Sequence, residues 1–107
     1  MPGKVCVLNR KNLPLAPSAS SVVIMRPGLF GNPYPITPTA TRDQVIDRYR
    51  LWLRAEYRKH GEIYHRLNAL ARRYRNGETI YLICCCKPLP CHGDVIADAI
   101  QGIAHQL

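Results

Sequence analysis

Residues 80–98 read IYLICCCKPLPCHGDVIAD, and this stretch decides the fold because its character changes at one proline-rich turn. An apolar run enters the turn, which is typical of a strand that is covered on both faces. Pro88 and Pro90 prevent the strand from continuing, and an amphipathic pattern that begins near His92 predicts a helix. The stretch therefore predicts a strand, a turn and a helix in immediate succession.

The segments before this stretch add further strands and helices. Residues 5–8 and 21–25 are apolar and β-branched, and they predict two short strands. A capping box that begins at Thr41 opens a helix that continues to about Arg58. A second helix follows and ends before Gly77, a residue type that commonly terminates helices.

Helices before and after a buried strand predict one α/β domain that spans residues 1–107. We expect a small three-layer-like sandwich with a short, largely parallel sheet of three or more strands and about three helices. In such sheets, ligands gather at the carboxyl ends of the strands. The cysteine-rich turn lies at such an end, and we therefore expect the functional site there.

The chain is strongly basic, with 15 Lys and Arg residues against 7 Asp and Glu residues and a net charge of +8. This excess favours a small anionic ligand as partner, and the alternative is a non-enzymatic basic accessory protein that binds nucleic acid or a host protein. A homodimer also stays open, because a chain of this length is marginally stable alone. No apolar run approaches the roughly 20 residues that span a bilayer, so we expect no membrane association.

Cysteine is the residue type that most clearly suggests chemistry, and four of the five cysteines lie at the turn, at positions 84, 85, 86 and 91. Three interpretations remain open. In the first, Cys91 is a nucleophile or an anion-site residue, because a helix N-terminus stabilises a thiolate. His92 or Asp94 would then be its partner in proton transfer. The second is a zinc site, and in the third the cysteines are only packing residues.

The second interpretation is a zinc site, with Cys84, Cys86, Cys91 and His92 as ligands. Their spacing is not that of a usual zinc finger, so our main expectation is that the chain carries no cofactor. A zinc-deaminase-like enzyme is a related alternative, because His-Gly-Glu at 60–62 precedes Pro-Cys at 90–91 in the order that those enzymes use.

The loop at residues 26–33, RPGLFGNP, is the other segment that carries more functional groups than a turn requires. Gly31 permits close backbone approach, Asn32 offers both donor and acceptor groups, and Arg26 can bind a phosphate or carboxylate through two hydrogen bonds. Arg42, in the first turn of its helix, is best explained by a nearby anion. We predict that these residues and Cys86 bind a nucleotide- or nucleoside-related anion at the cysteine turn.

Taken together, these motifs resemble domain-of-unknown-function family 4326. The resemblance rests on an early Arg-Pro, the Gly-Asn-Pro loop, a helix that contains Tyr-x-x-Trp-Leu, and the pattern C-x-C-x-P-x-P-C-H-G-D-V at residues 84–95. The family consists of short proteins of bacteria and their phages, and it has no established reaction. Its members usually have Trp where this chain has Cys85, which implies a packing role for Cys85. Because the family has no established reaction, whether the chain is an enzyme stays open.

The segment MPGKVCVLNRKN at residues 1–12 lacks the apolar core of a signal peptide. We therefore expect a cytoplasmic protein, which would work in the host cytoplasm if it is encoded by a phage. In that compartment structural disulfides are disfavoured.

Overall fold

The computed structural model of the chain describes residues 3–12, 21–25, 28–34, 37–84 and 91–106. Its strands are β1 (Lys4–Asn9), β2 (Ser21–Val23) and β3 (Thr79–Cys84), and its α-helices are α1 (Arg42–Arg58), α2 (Glu62–Arg75) and α3 (His92–Gln106). The predicted mixed α/β fold with a small parallel sheet is confirmed. The predictions for Arg26, Cys85 and Cys86 concern residues outside these ranges.

The sheet has the strand order β1-β3-β2, and β3 pairs in parallel with both neighbours. Val7 and Val22 both lie beside Leu82 in this register, so the three side chains share one face. Leu82 is fully buried, as expected for a central strand that reads as a continuous apolar run. Pairing continues one residue beyond β2, because Ile24 N donates to Ile83 O at 3.0 Å.

Helix α1 begins at the predicted capping box. The Gln44 backbone N–H donates to Thr41 Oγ1 at 3.3 Å, and the Thr41 N–H donates to Gln44 Oε1 at 2.9 Å. The apolar stripe that follows contributes three buried side chains, those of Val45, Tyr49 and Leu53. The helix therefore presents one face to the core, as its spacing predicts.

Helix α2 also follows its predicted pattern. Four of its side chains are buried, those of Ile63, Leu67, Leu70 and Ala71. Asn76 caps its carboxyl end, and Gly77 follows with φ of 98°, a backbone conformation that glycine adopts without steric cost. Gly77 therefore terminates the helix and lets the chain enter β3.

The hydrophobic core lies between the sheet and the helices. Helices α2 and α3 pack against each other and against the sheet, while α1 packs on both of them. The buried side chains form one continuous cluster that includes Ile24, Phe30, Tyr49, Leu67, Leu82, Cys84, Cys91, Ile96 and Ile100. None of the helices in the described residues is both long enough and apolar enough to cross a membrane.

Candidate functional site at the carboxyl edge of the sheet

Helix α3 begins beside the end of the central strand. Cys84 is the last residue of β3, and Cys91 directly precedes α3. Both side chains are buried, with 0% and 2% of their surface exposed, and they are close enough for Cys84 to raise the pKa of the Cys91 thiol. The start of α3 is therefore packed against the carboxyl edge of the sheet, where the sequence predicts the site.

Gly93 allows this close packing. A Cβ atom at this position would lie 2.7 Å from Val7 Cγ1, 2.9 Å from Ile24 Cδ1 and 3.2 Å from Cys91 Sγ. The first two distances are shorter than carbon atoms tolerate without a shift of the neighbouring groups. Only glycine therefore lets the first turn of α3 approach β1 and the end of β2 this closely.

His92 connects the first turn of α3 to the end of β2. Its Nε2 lies 2.6 Å from the carbonyl oxygen of Ile24, and its ring meets the Tyr49 ring edge-on with centroids 4.9 Å apart. Because a carbonyl oxygen can only accept, Nε2 carries the proton and donates. The side chain is only 8% exposed, so this hydrogen bond is buried. It fixes the start of the 24–34 loop beside the N-terminus of α3.

Asp94 closes the first turn of α3. Its Oδ2 accepts from the Cys91 backbone N–H at 3.2 Å, and its own N–H donates to Cys91 O at 3.1 Å. A carboxylate in this position also complements the positive end of the helix. Asp94 therefore has a clear structural task as a capping residue.

The surroundings of Cys91 oppose ionisation of its thiol. Burial raises the pKa of this thiol to about 12, and the hydrogen bond with Cys84 and the charge of Asp94 act in the same direction. A hydrogen bond from the backbone of Gly93 lowers the pKa, but by less than burial raises it. Desolvation of the buried thiol thus acts against the stabilisation that a helix N-terminus gives to a thiolate.

The Gly-Asn-Pro loop is held by α1. The Tyr49 hydroxyl donates to Phe30 O at 2.8 Å, and Phe30 itself is buried. Gly31 N donates to Gly28 O at 2.9 Å, and Asn32 Oδ1 accepts from the Tyr34 backbone N–H at 2.8 Å. The side-chain oxygen of Asn32 therefore shapes its own turn, which leaves its amide NH₂ group as the part suited to a ligand.

Arg42 lies on the face of α1 that Tyr49 also occupies, because the two residues are two helical turns apart. Its side chain is half-buried. Tyr49 contacts both His92 and the backbone of the 28–34 loop, so Arg42 lies on the side of α1 that faces the candidate site. The ligand-binding role of Arg42 stays a prediction, and Arg26 and Cys86 lie outside the described residues.

The structure thus brings together Cys91, His92 and Asp94, and it joins them to the loop that carries Gly31 and Asn32. Sequence reasoning missed the two groups that make the junction, the Ile24 carbonyl and the Tyr49 side chain. The Tyr49 hydroxyl had a detectable signal, because a buried tyrosine requires a hydrogen-bond partner. The Ile24 carbonyl had no such signal in the sequence, since every residue has a backbone carbonyl.

The geometry of the described residues also bears on the two zinc alternatives. Within the residues that the structure covers, no three His, Cys, Asp or Glu side chains are arranged to hold a metal ion. His92 already uses Nε2 for its bond to Ile24. His60, which the deaminase alternative requires near Cys91, lies beyond the end of α1, about 16 Å along the helix from Tyr49 at 1.5 Å per residue. The deaminase alternative stays a prediction, because part of its pattern lies outside the described residues.

Comparison with known proteins identifies the family. No curated protein and no solved structure is significantly similar to this chain. The family model of a domain of unknown function, DUF4326, matches residues 8–102. This match extends from the end of β1 to the last turns of α3 and includes both loops of the candidate site. The chain therefore belongs to the DUF4326 family.

Proposed function

We propose that this chain binds a small anionic ligand, related to a nucleotide or nucleoside, at the carboxyl edge of its sheet. The observation that carries the proposal is the buried hydrogen bond between His92 and the Ile24 carbonyl. This bond holds the beginning of the loop that contains Arg26 next to the N-terminus of α3. A cationic loop beside a helix N-terminus at the end of a parallel sheet is a common arrangement for anion binding.

The roles of the residues follow from their positions. Arg26 and Arg42 would contact the charged group of the ligand, and the Asn32 amide would donate to a polar atom of it. Gly31 supports the loop through its hydrogen bond to Gly28 O and leaves room for close backbone approach. Cys86, whose sequence position places it in the turn after β3, would line the same crevice.

Binding explains the site better than covalent catalysis by Cys91 does. A thiol whose pKa is raised to about 12 is protonated at neutral pH, and its thiolate fraction is very small. His92 and Asp94 are both engaged in hydrogen bonds that build the start of α3. We therefore assign Cys91, His92 and Asp94 to the framework of the site and the arginines to ligand recognition.

A binding screen tests this proposal directly. Thermal unfolding of the purified protein would be followed with nucleosides, nucleoside mono-, di- and triphosphates and inorganic phosphate, and calorimetry would then give the affinity of any stabilising compound. We expect at least one nucleotide to raise Tm, and Arg26→Ala and Arg42→Ala each to weaken its binding about 10- to 100-fold, the effect of losing one charged hydrogen bond.

Arg75→Ala is the matched control. Arg75 is exposed at the end of α2, and the adjacent Tyr74 accepts a hydrogen bond from Gly3, just before β1, so this residue lies at the opposite edge of the sheet. Arg75→Ala lowers the net charge as much as Arg26→Ala or Arg42→Ala does, but it should leave the affinity for the nucleotide within about twofold of the wild type. A screen without any stabilising anion, or affinity that survives both the Arg26 and Arg42 substitutions, would refute the proposal.

A further inference from the structure

Four aromatic side chains meet at the corner between α1 and α2, and we call this group the aromatic corner: Tyr57, His60, Tyr64 and His65. The His60 and Tyr64 rings are stacked, with centroids 4.1 Å apart and planes 18° apart. Tyr57 lies 4.9 Å from Tyr64, and His65 meets Tyr64 edge-on at 5.3 Å. Both histidines are exposed and both tyrosines are half-buried, so the rings form part of the surface.

The aromatic corner is held in place before any partner arrives. Asn68 Nδ2 donates to the Tyr57 hydroxyl at 3.2 Å and to the backbone oxygen of Tyr64 at 2.7 Å. Rings that are already ordered lose little conformational entropy on binding. The corner is therefore suited to recognition of another flat ring.

His60 has an unusual backbone conformation, with φ of 56°. A non-glycine residue in this left-handed region costs on the order of 1 kcal/mol, and glycine is the usual residue at this position after a helix. The conformation places the imidazole on Tyr64. Since Tyr64 covers one face of the ring and His60 is exposed, we infer that the other face of the imidazole is accessible to a ligand.

The two helices that form the aromatic corner carry an excess of positive charge. Residues 42–78 contain ten Lys and Arg residues against five Asp and Glu residues. Arg72 and Arg75 are exposed and continue the Tyr64–Asn68 row along α2, which spans about 16 Å from Tyr64 to Arg75 at 1.5 Å per residue. This row is long enough to follow two or three phosphates of an extended strand.

We propose that the aromatic corner and the adjacent arginines bind single-stranded nucleic acid. One base stacks on the open face of His60 and extends the His60–Tyr64 stack, while the phosphates contact Arg72 and Arg75. Aromatic stacking combined with a cationic track is how proteins bind single strands with little sequence preference. Paired bases in a duplex do not expose their faces, so duplexes lack the stacking contribution.

Fluorescence anisotropy with labelled dT12, rU12 and a 12-base-pair duplex tests this inference. We expect both single strands to bind at 50 mM salt, more tightly than the duplex, and to bind much more weakly at 200 mM salt. His60→Gly should reduce single-strand affinity about 5- to 100-fold through loss of the stacked ring. Because glycine fits the left-handed backbone, this variant should keep or raise Tm, which separates loss of binding from loss of folding.

His105→Ala is the control for loss of an exposed histidine, since His105 lies in the last turn of α3 and should leave the affinity within about twofold. Tyr64→Leu, which keeps an apolar side chain, should weaken binding as His60→Gly does. Equal affinity for duplex and single strands, or wild-type affinity in both His60→Gly and Tyr64→Leu, would overturn the inference. The outcome is independent of the nucleotide screen, because Arg42→Ala should leave oligonucleotide binding unchanged.

Discussion

At the scale of single residues, Gly93 is the position where the structure depends most closely on side-chain size. It stands between Val7 and Ile24 on one side and Cys91 on the other. Val7 has a stiff β-branched side chain, so it cannot move its methyl group away without a change of rotamer. The absence of a side chain at this residue, rather than any chemistry, lets α3 begin against the sheet.

Gly93→Ala should therefore destabilise the protein by about 1–3 kcal/mol, the usual cost of overpacking a tight contact. Gly102→Ala is the matched control, because Gly102 lies in the same helix and a Cβ atom there meets nothing within 4 Å. It should stabilise α3 by about 0.5–1 kcal/mol through higher helix propensity. Urea unfolding measures both changes, and a Gly93→Ala protein as stable as Gly102→Ala would contradict the packing argument.

Cys91 is the second decisive residue, and its pKa has a consequence for stability at alkaline pH. The thiol ionises near pH 9 in an unfolded chain but only near pH 12 in the folded protein. Above pH 9 the unfolded state has therefore lost the proton that the folded state still binds, so stability falls as pH rises toward 12. Burial also raises the pKa of Tyr49 above its ordinary value, so ionisation of its hydroxyl in the unfolded chain likewise lowers stability at alkaline pH.

We expect the stability difference between the wild type and Cys91→Ala to be largest near pH 7 and to shrink steadily between pH 9 and 10.5. The reason is that the variant lacks the thiol whose ionisation penalises the folded state. The measurement is the urea midpoint at each pH, with Cys6→Ala as control, because Cys6 is only half-buried. A constant difference across this range would show that the Cys91 thiol ionises alike in both states.

At the scale of elements, the capping box determines where α1 begins and hence where Arg42 lies. Thr41 and Gln44 satisfy each other's backbone N–H groups, and Arg42 is the first helical residue. A helix that begins later would move Arg42 into the preceding loop. The N-terminal cap of α1 therefore contributes both to stability and to the position of a proposed ligand-binding arginine.

Thr41→Ala should destabilise the protein by about 1 kcal/mol, the typical cost of losing an N-cap side chain. Thr39→Ala provides a comparison two residues earlier, since its exposed hydroxyl only meets that of Thr37 at 3.3 Å, and it should cost less than about 0.5 kcal/mol. Thermal and urea unfolding measure the difference. Equal stability of the two variants would mean that the capping box contributes nothing.

At the scale of the whole molecule, the two proposed binding surfaces lie at different places along α1. The nucleotide-like ligand is assigned to the side where Tyr49 meets His92, and single-stranded nucleic acid to the corner beyond the end of the helix. Helix α1 lies between the two surfaces and is a rigid element. We therefore expect the two sites to act independently.

Saturating dT12 should change the affinity for any nucleotide found in the screen by less than about twofold, and Arg42→Ala and His60→Gly should have additive effects in the double variant. Parallel calorimetric titrations of the wild type and the three variants measure this. Mutual exclusion of nucleotide and oligonucleotide would instead show that they share one surface, and the two proposals would have to be merged.

The sequence by itself determined the elements and the fold class. Apolar spacing, the capping box and Gly77 are local signals, and local backbone preferences suffice to place the strands, the helices and their ends. The order of the elements then predicted a parallel sheet with the cysteine turn at its carboxyl edge. A meeting of the cysteine turn with the Gly-Asn-Pro loop was also predicted, and among the described residues His92 lies beside Ile24 and Tyr49 contacts both His92 and Phe30.

Only the tertiary structure decided how the site residues behave. A cysteine before a helix can be an activated thiolate or a buried thiol, and the choice depends on how much water and which groups from distant segments surround it. Cys84 and Asp94 were visible in the sequence, but the burial that dominates the pKa of Cys91 was not. The aromatic corner likewise formed only when two helices met, because stacking of His60 on Tyr64 requires a backbone conformation that no spacing pattern encodes.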